Sequence, residues 1–246
     1  MSLTLRCATL VCELKPELGS CIAGLWSNGI SVVQSTAADQ LESVRQSGSF
    51  PLVPYSNRIA RALLNWHGQG YPLHKNWQLD PHSIHGVGWD RPWAVVSHDA
   101  ASAQLVLRHP SDASWPFAFE ATQNIARSVN SFHLNLGICN LEEYAASPGL
   151  DAPVADLQVD HCFDGWSGVV QLADDTLALR ISSSLRHLVV YTLPSREDIA
   201  IEPVSHVNNA MGHWPGGNPD LAALGVVTLQ PGAQFSCAMR IDIQHH

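Results

Sequence analysis

The feature that most constrains this chain is a run-and-turn pattern repeated from end to end. Short alternating or apolar stretches such as "TLRCATLVCEL", "SAQLVLRH", "FHLNLGI", "HLVVYTL", "IAIEPV" and "SCAMRIDI" recur, each bounded within a few residues by Gly, Pro, Asn, Asp or Ser. Alternation with period two puts successive side chains on opposite faces of a strand, and the bounding residues are turn formers. No segment of a dozen residues keeps the i, i+3, i+4, i+7 apolar stripe of an amphipathic helix. The pattern predicts an all-β fold, a large antiparallel β-sandwich. "STAADQLES" and "NPDLAAL" are expected to add a helical turn or two at its margins. No fixed-period repeat, linker or low-complexity tract divides the chain, so residues 1–246 are read as one domain.

Charge narrows the partners. Thirteen basic against twenty-two acidic side chains leave a net charge of −9, which repels a polyanion over most of the surface, so no nucleic-acid partner is expected. No apolar run approaches the roughly 20 residues that cross a bilayer, so no membrane partner is expected either. The six cysteines contain no C-x-x-C pair and the N-terminus has no signal-peptide order, which together point to the reducing cytoplasm. Met1-Ser2-Leu3 and His245-His246 are read as remnants of expression and set aside.

Four stretches concentrate polar groups beside turn residues: "PYSNRIAR" (54–61), "SIHGVGW" (83–89), "QVDHCFDGW" (158–166) and "IEPVSHVNNA" (201–210). Strand ends far apart in sequence can converge on one face of a sandwich, and convergence is the expectation here. In "IAIEPV", Glu202 points away from Ile199 and Ile201; if these face the core, it faces solvent or a cleft. Asp160 lies on the side opposite its neighbours Val159 and His161, whereas Asp164, before Gly165, reads as a turn residue. Arg58 offers a planar fork of donors suited to hydroxyl oxygens, or an ordinary surface ion pair. His85 precedes Gly86 and Gly88, which suit a ligand-facing loop or a plain hairpin. Trp89 and Trp93 could pack on a sugar ring or in the core. No H-x-x-x-H or H-E-x-x-H pattern falls on a plausible helix and no G-x-S-x-G elbow is present, so neither a metal site nor a serine hydrolase is expected.

Taken in order, Asn57-Arg58-Ile59, Ile84-His85-Gly86, Asp160-His161-Cys162-Phe163 and Glu202-Pro203 resemble the motifs of the aldose 1-epimerase (galactose mutarotase) family. "TLQPGAQF" is similar to that family's penultimate turn and last strand. The resemblance implies a galactose mutarotase-like supersandwich and a cofactor-independent isomerase that interconverts the α- and β-anomers of a hexose. It implies Glu202 as general base on the anomeric hydroxyl and His85 as a hydrogen-bonding residue near the ring oxygen and anomeric carbon. Arg58 and Asp160 would hold other hydroxyls, with Asn57 positioning Arg58 or the sugar. The partner implied is a small-molecule sugar, with its identity, its phosphorylation and the oligomeric state left open.

The chain departs from the family pattern at one place. The family takes its acid from a second histidine in a His-x-Tyr-Phe-like motif after the strand matching "FHLNLGICN", yet no histidine occurs between His133 and His161. A segment missing after Asn140 is the favoured explanation, because a true deletion should leave a neat turn; the alternative is a chain that lacks the acid. Two other functions stay open beside the epimerase: a non-catalytic carbohydrate-binding sandwich, and a glycosidase using Asp160 and Glu202 as its carboxylate pair.

Overall fold

The computed structural model describes residues 2–66, 69–140, 160–164, 166–192, 198–212, 220–227, 229 and 232–246. Its first layer is an antiparallel meander of β1 (Leu3–Cys7), β2 (Leu10–Lys15), β3 (Cys21–Ser27) and β4 (Ile30–Ser31). Two short pairs follow: β5 (Arg58–Ile59) with β8 (Ser83–Ile84), and β6 (Leu63–Trp66) with β7 (Gln69–Pro72). The largest sheet runs β14 (Val169–Ala173), β15 (Leu177–Ser183), β18 (Gln234–His245), β12 (Ser131–Asn140), β11 (Phe119–Arg127), β10 (Ser102–His109), β9 (Ala94–His98), antiparallel throughout. A three-stranded sheet places β16 (His187–Thr192) between β13 (Asp160–Asp164) and β17 (Ile199–Val204). Three 3₁₀ turns, Val44–Gln46, Ala60–Ala62 and Gly88–Asp90, are the helical elements among the described residues. No helix among them is long and apolar enough to cross a membrane.

The alternation read from the sequence is the cause of this layering. In β10, Ala103, Leu105, Leu107 and His109 are buried while the residues between them are not; β11 does the same with Phe119, Ala121, Gln123, Ile125 and Arg127. These inward faces meet Leu5, Leu10 and Leu14 of β1 and β2 in one continuous core. Strand β3 is buried on both sides: Ile22 and Leu25 join that core, whereas Cys21 and Ala23 face a second cluster with Leu41, Val44, Ile84 and Trp89. That second cluster lies directly behind the loop that follows β8. The expectation of a large antiparallel all-β fold is met.

Two marginal features differ from the expectation. "STAADQLES" folds as a turn leading into the Val44–Gln46 3₁₀ turn, capped by Ser43 and Gln46, and Leu221–Gly225 forms a turn closed by the Leu224 N–H donating to the Asp220 carbonyl at 3.2 Å. Two of the end residues set aside above, Leu3 and His245, belong to the fold. Leu3 opens β1 and is buried, while His245 lies opposite Leu177 in β18 with its Nε2 2.9 Å from Ser27 Oγ. The junction after Asn140, where a missing segment was expected, falls on residues 141–159, outside the described residues.

Candidate active site

The first half of the site is a locked pair of loops. Strand β5 pairs with β8, setting Arg58 opposite Ile84. On either side of that pairing the backbone turns left-handed, with φ of +56° at Asn57, +59° at His85 and +66° at Gly86. Such values are unusual for residues with a side chain, so the surroundings must hold them. They do so reciprocally: the His85 amide donates to the Asn57 carbonyl at 2.8 Å, and the Asn57 amide donates to His85 Nδ1 at 3.1 Å. Gly86 bridges Val53, and a Cβ there would collide with the Val53 carbonyl, so the position requires glycine.

Buried side chains brace this loop from behind. Trp89 Nε1 donates to the carbonyls of Ile84 and Gly86, both at 3.2 Å, and Trp93 Nε1 donates to Gly88 O at 2.8 Å. Asn76 Nδ2 donates to the Ile84 and Gly86 carbonyls at 2.6 and 2.9 Å, and its Oδ1 accepts from the Ile84 amide. Of the two uses open to the tryptophans, the structure shows the core one: both are buried, and their indole N–H groups donate to carbonyls of the loop.

His85 is left with one free direction. Because Nδ1 accepts from a backbone N–H, the neutral ring carries its proton on Nε2. Burial, and then the positive charges of Arg45 and Arg58, push the imidazole down to about 4 against the pull of Asp80. At neutral pH His85 is therefore an uncharged hydrogen-bond donor.

Asp80 and Asn57 help to orient Arg58. Its Nε donates to Asp80 Oδ2 at 3.2 Å and its Nη1 to Asn57 Oδ1 at 3.4 Å, while Asn57 Oδ1 also accepts the Arg58 amide at 2.9 Å. Burial alone would raise the Asp80 carboxyl, but the His82 amide and the Arg58 guanidinium hold it below the usual carboxylate range. Arg45 lies 3.8 Å over the Trp77 ring and 5.5 Å from Trp89. Asp80, Asn76 and Arg45 were not singled out from sequence. Asp80 sits in "QLDPHS", where an Asp before Pro reads as a turn residue. The Ser43–Gln46 spacing marks a capped turn and says nothing of where Arg45 reaches.

The second half comes from the three-stranded sheet. Its register sets Asp160 across from Tyr191 and Tyr191 across from Ala200; one step along, Cys162, Val189 and Glu202 form the next row. Glu202 thus shares a face with Val189 and Tyr191, the face opposite Ile201, which packs against the main core. Burial raises the Cys162 thiol to about 11, with the Glu202 carboxylate adding to the effect. The Asp160 side chain lies outside the description. Asp164, read as a turn residue, instead ends β13 and forms a bidentate pair with Arg186 at 2.7 and 2.9 Å. Its Oδ1 also lies 3.3 Å from Nε2 of the buried His187.

Asn209 joins the halves. Its Oδ1 accepts the Ala60 amide at 2.8 Å, and the Asn65 amide donates to the Met211 carbonyl at 3.3 Å, tying the loop after β17 to the chain after β5. Between the halves opens a cavity of about 1300 Å³ that Asn57, Arg58, His85 and Glu202 all line. Asp80 and Tyr191 line it as well, and apolar residues of the large sheet, Leu136 and Leu179 among them, complete the wall. Four of the five residues singled out from sequence thus meet at one cavity. The fifth, Asp160, is placed by its backbone on the strand beside Tyr191.

Comparison with known proteins bears on the fold and the family. Residues 14–151, more than half of the chain, match the family model described as aldose 1-epimerase. Over 124 residues the chain is 28% identical to the uncharacterized protein YphB of Escherichia coli K12, a match that covers 50% of this chain and 41% of that relative's length. Among solved structures, a candidate aldose 1-epimerase from Escherichia coli K12 superposes with a TM-score of 0.80 at 20% identity, covering 100% of this chain and 99% of the other. A galactose 1-epimerase from Lactobacillus acidophilus NCFM superposes at 0.73 and 15% identity, covering 99% and 94%. At these identities the structural likeness is one of fold, and the family follows from the sequence match: the chain belongs to the aldose 1-epimerase family.

Proposed function

We propose that this protein is an aldose 1-epimerase that interconverts the α- and β-anomers of a hexose in the cavity between β5–β8 and β17. The observation that carries the reading is the meeting of Asn57, Arg58, His85 and Glu202 at one cavity from three separated stretches of sequence. Family membership supports it independently.

Anomer exchange needs a base at the anomeric hydroxyl and a proton for the ring oxygen. Glu202 takes the proton from O1 as the C1–ring oxygen bond breaks, the ring oxygen gains a proton, and C1 becomes the aldehyde carbon. Rotation about C1–C2 and reclosure with the proton roles reversed yield the other anomer. Both proton transfers use side chains, so the chemistry calls for no cofactor. His85, neutral and holding its proton on Nε2, donates a hydrogen bond near the ring oxygen and anomeric carbon without competing for the base's proton. Arg58, oriented by Asp80 and Asn57, donates to other hydroxyls, and Asp160 accepts from the sugar from the neighbouring strand.

Polarimetry of freshly dissolved α-D-galactose and α-D-glucose tests the reading. Wild-type protein is expected to speed equilibration over buffer, and Glu202→Gln to lose about 10²-fold or more of that acceleration. Equilibration at the buffer rate by both proteins removes the epimerase reading for these sugars. Consumption of an α- or β-glycoside would point to the glycosidase instead.

A further inference from the structure

The proton that the ring oxygen receives needs a source. The described residues offer few. Releasing the Nε2 proton of neutral His85 would leave an imidazolate, because Nδ1 is already engaged by the Asn57 amide. Arg58 does not give up a proton in proteins. Cys237, also on the cavity wall, directs its thiol to the Leu136 carbonyl at 3.4 Å. The carboxylates of Asp80 and Glu202 are acceptors.

Tyr191 differs from all of these. It lines the same cavity, half-buried, in the middle strand of the three-stranded sheet. The register puts it directly across from Asp160 on one side and Ala200 on the other, with Glu202 at the diagonal position of the same face. Diagonal neighbours on a sheet face stand about 7–8 Å apart. Both residues line the one cavity from the same sheet face, so a single bound ring can meet the two of them. Among the described residues none hydrogen-bonds the Tyr191 hydroxyl, so its proton is available to a ligand. A phenol is both a hydrogen-bond donor and one of the side chains that serve as general acids.

We propose that Tyr191 donates the proton to the ring oxygen as the sugar opens, and takes it back from the new ring-closing hydroxyl as it recloses. The assignment rests on the epimerase reading above. The proton balance is closed: one proton passes from O1 to Glu202, one from Tyr191 to the ring oxygen, and both return on reclosure. Among the described residues, the charged groups on the cavity wall near Tyr191 are Glu202 on β17 and Asp198, which precedes β17; Asp160 is its backbone neighbour on β13.

The test is anomer exchange followed by NMR, with wild type, Tyr191→Phe and a protein carrying 3-fluorotyrosine at position 191. A melting curve for each checks the fold. Tyr191→Phe is expected to lower kcat by about 10²-fold with KM nearly unchanged. The fluorinated residue, a more acidic phenol, is expected to move the alkaline limb of the kcat profile to lower pH. Exchange in Tyr191→Phe within a few-fold of wild type overturns the assignment and leaves the epimerase reading standing. So does a loss confined to KM, or an alkaline limb that the fluorine does not move. Wild type no faster than buffer overturns both.

Discussion

The seven-stranded sheet and the loops around His85 are built on opposite terms. In β10 and β11 every second residue is buried, and those residues include Leu105, Ile125 and Phe119; the structure follows from a hydrophobic pattern that many sequences could satisfy. Around His85 the paired strands are two residues long, the backbone at Asn57, His85 and Gly86 is left-handed, and the shape is kept by hydrogen bonds from Asn57, Asn76, Trp89 and Trp93. The sheet is stabilised by burial and the loops by specific donors and acceptors. The difference teaches where a substitution should cost stability and where it should cost function.

Leu105→Ala, in the sheet, should show the largest loss of stability: about 2–5 kcal/mol by denaturant unfolding, because it leaves a cavity at a fully buried position. At temperatures where the variant is folded, its anomer-exchange rate should stay close to wild type. A large fall in kcat for the folded variant would break the separation between the two regions.

Gly86→Ala should cost less stability, on the order of 1–3 kcal/mol for the left-handed backbone, and more activity. Relieving the collision with the Val53 carbonyl displaces the turn that aims His85. We expect at least a tenfold drop in exchange rate, in line with the sensitivity of catalysis to misplacement on the ångström scale.

Acid should loosen the protein through buried histidines. His85 and His206 both stand at about 4 in the folded protein, each chiefly because burial disfavours the charged ring. An unfolded histidine titrates near 6.5, so between about pH 6.5 and 4 the unfolded chain binds the extra protons. Stability is therefore full above that range and falls as pH drops through it, by up to about 1.4 kcal/mol per pH unit for each histidine. Urea midpoints measured from pH 7.5 to 4.5 check the sign, and His206→Gln should flatten the slope.

Asp80→Asn should have the smallest effect on stability, below about 1 kcal/mol, since the Arg58 partner is 42% exposed in its side chain. Its effect belongs to binding: with the carboxylate charge gone, Arg58 is held less firmly, and KM for the sugar should rise several-fold while the melting temperature holds.

What the sequence discloses follows the same division. "SAQLVLRH" matches Ser102–His109 and "IAIEPV" matches Ile199–Val204, because alternation and bounding turns act locally. "ISVVQS" yields only Ile30–Ser31, since Val32 leaves the strand alignment and packs into the core. Asn57, Arg58, His85 and Glu202 were legible through motif order, but their meeting was not, because the Asn57–His85 bond crosses 28 residues and the Ala60–Asn209 bond that ties the two halves of the site crosses 149. Asp80 and Tyr191 were missed for a related reason: a lone Asp before Pro and a Tyr within an apolar strand acquire meaning only from what the fold places beside them.

The central claim is that one sugar is held between His85 and Glu202. A crystal of the Glu202→Gln protein soaked with galactose tests it most directly, because the variant keeps the shape of the site while slowing turnover. The account predicts a pyranose in the cavity between β5–β8 and β17, its anomeric oxygen within hydrogen-bond reach of residue 202 and an oxygen near C1 accepting from His85 Nε2. A sugar bound elsewhere, or bound here with neither residue in reach, would contradict it.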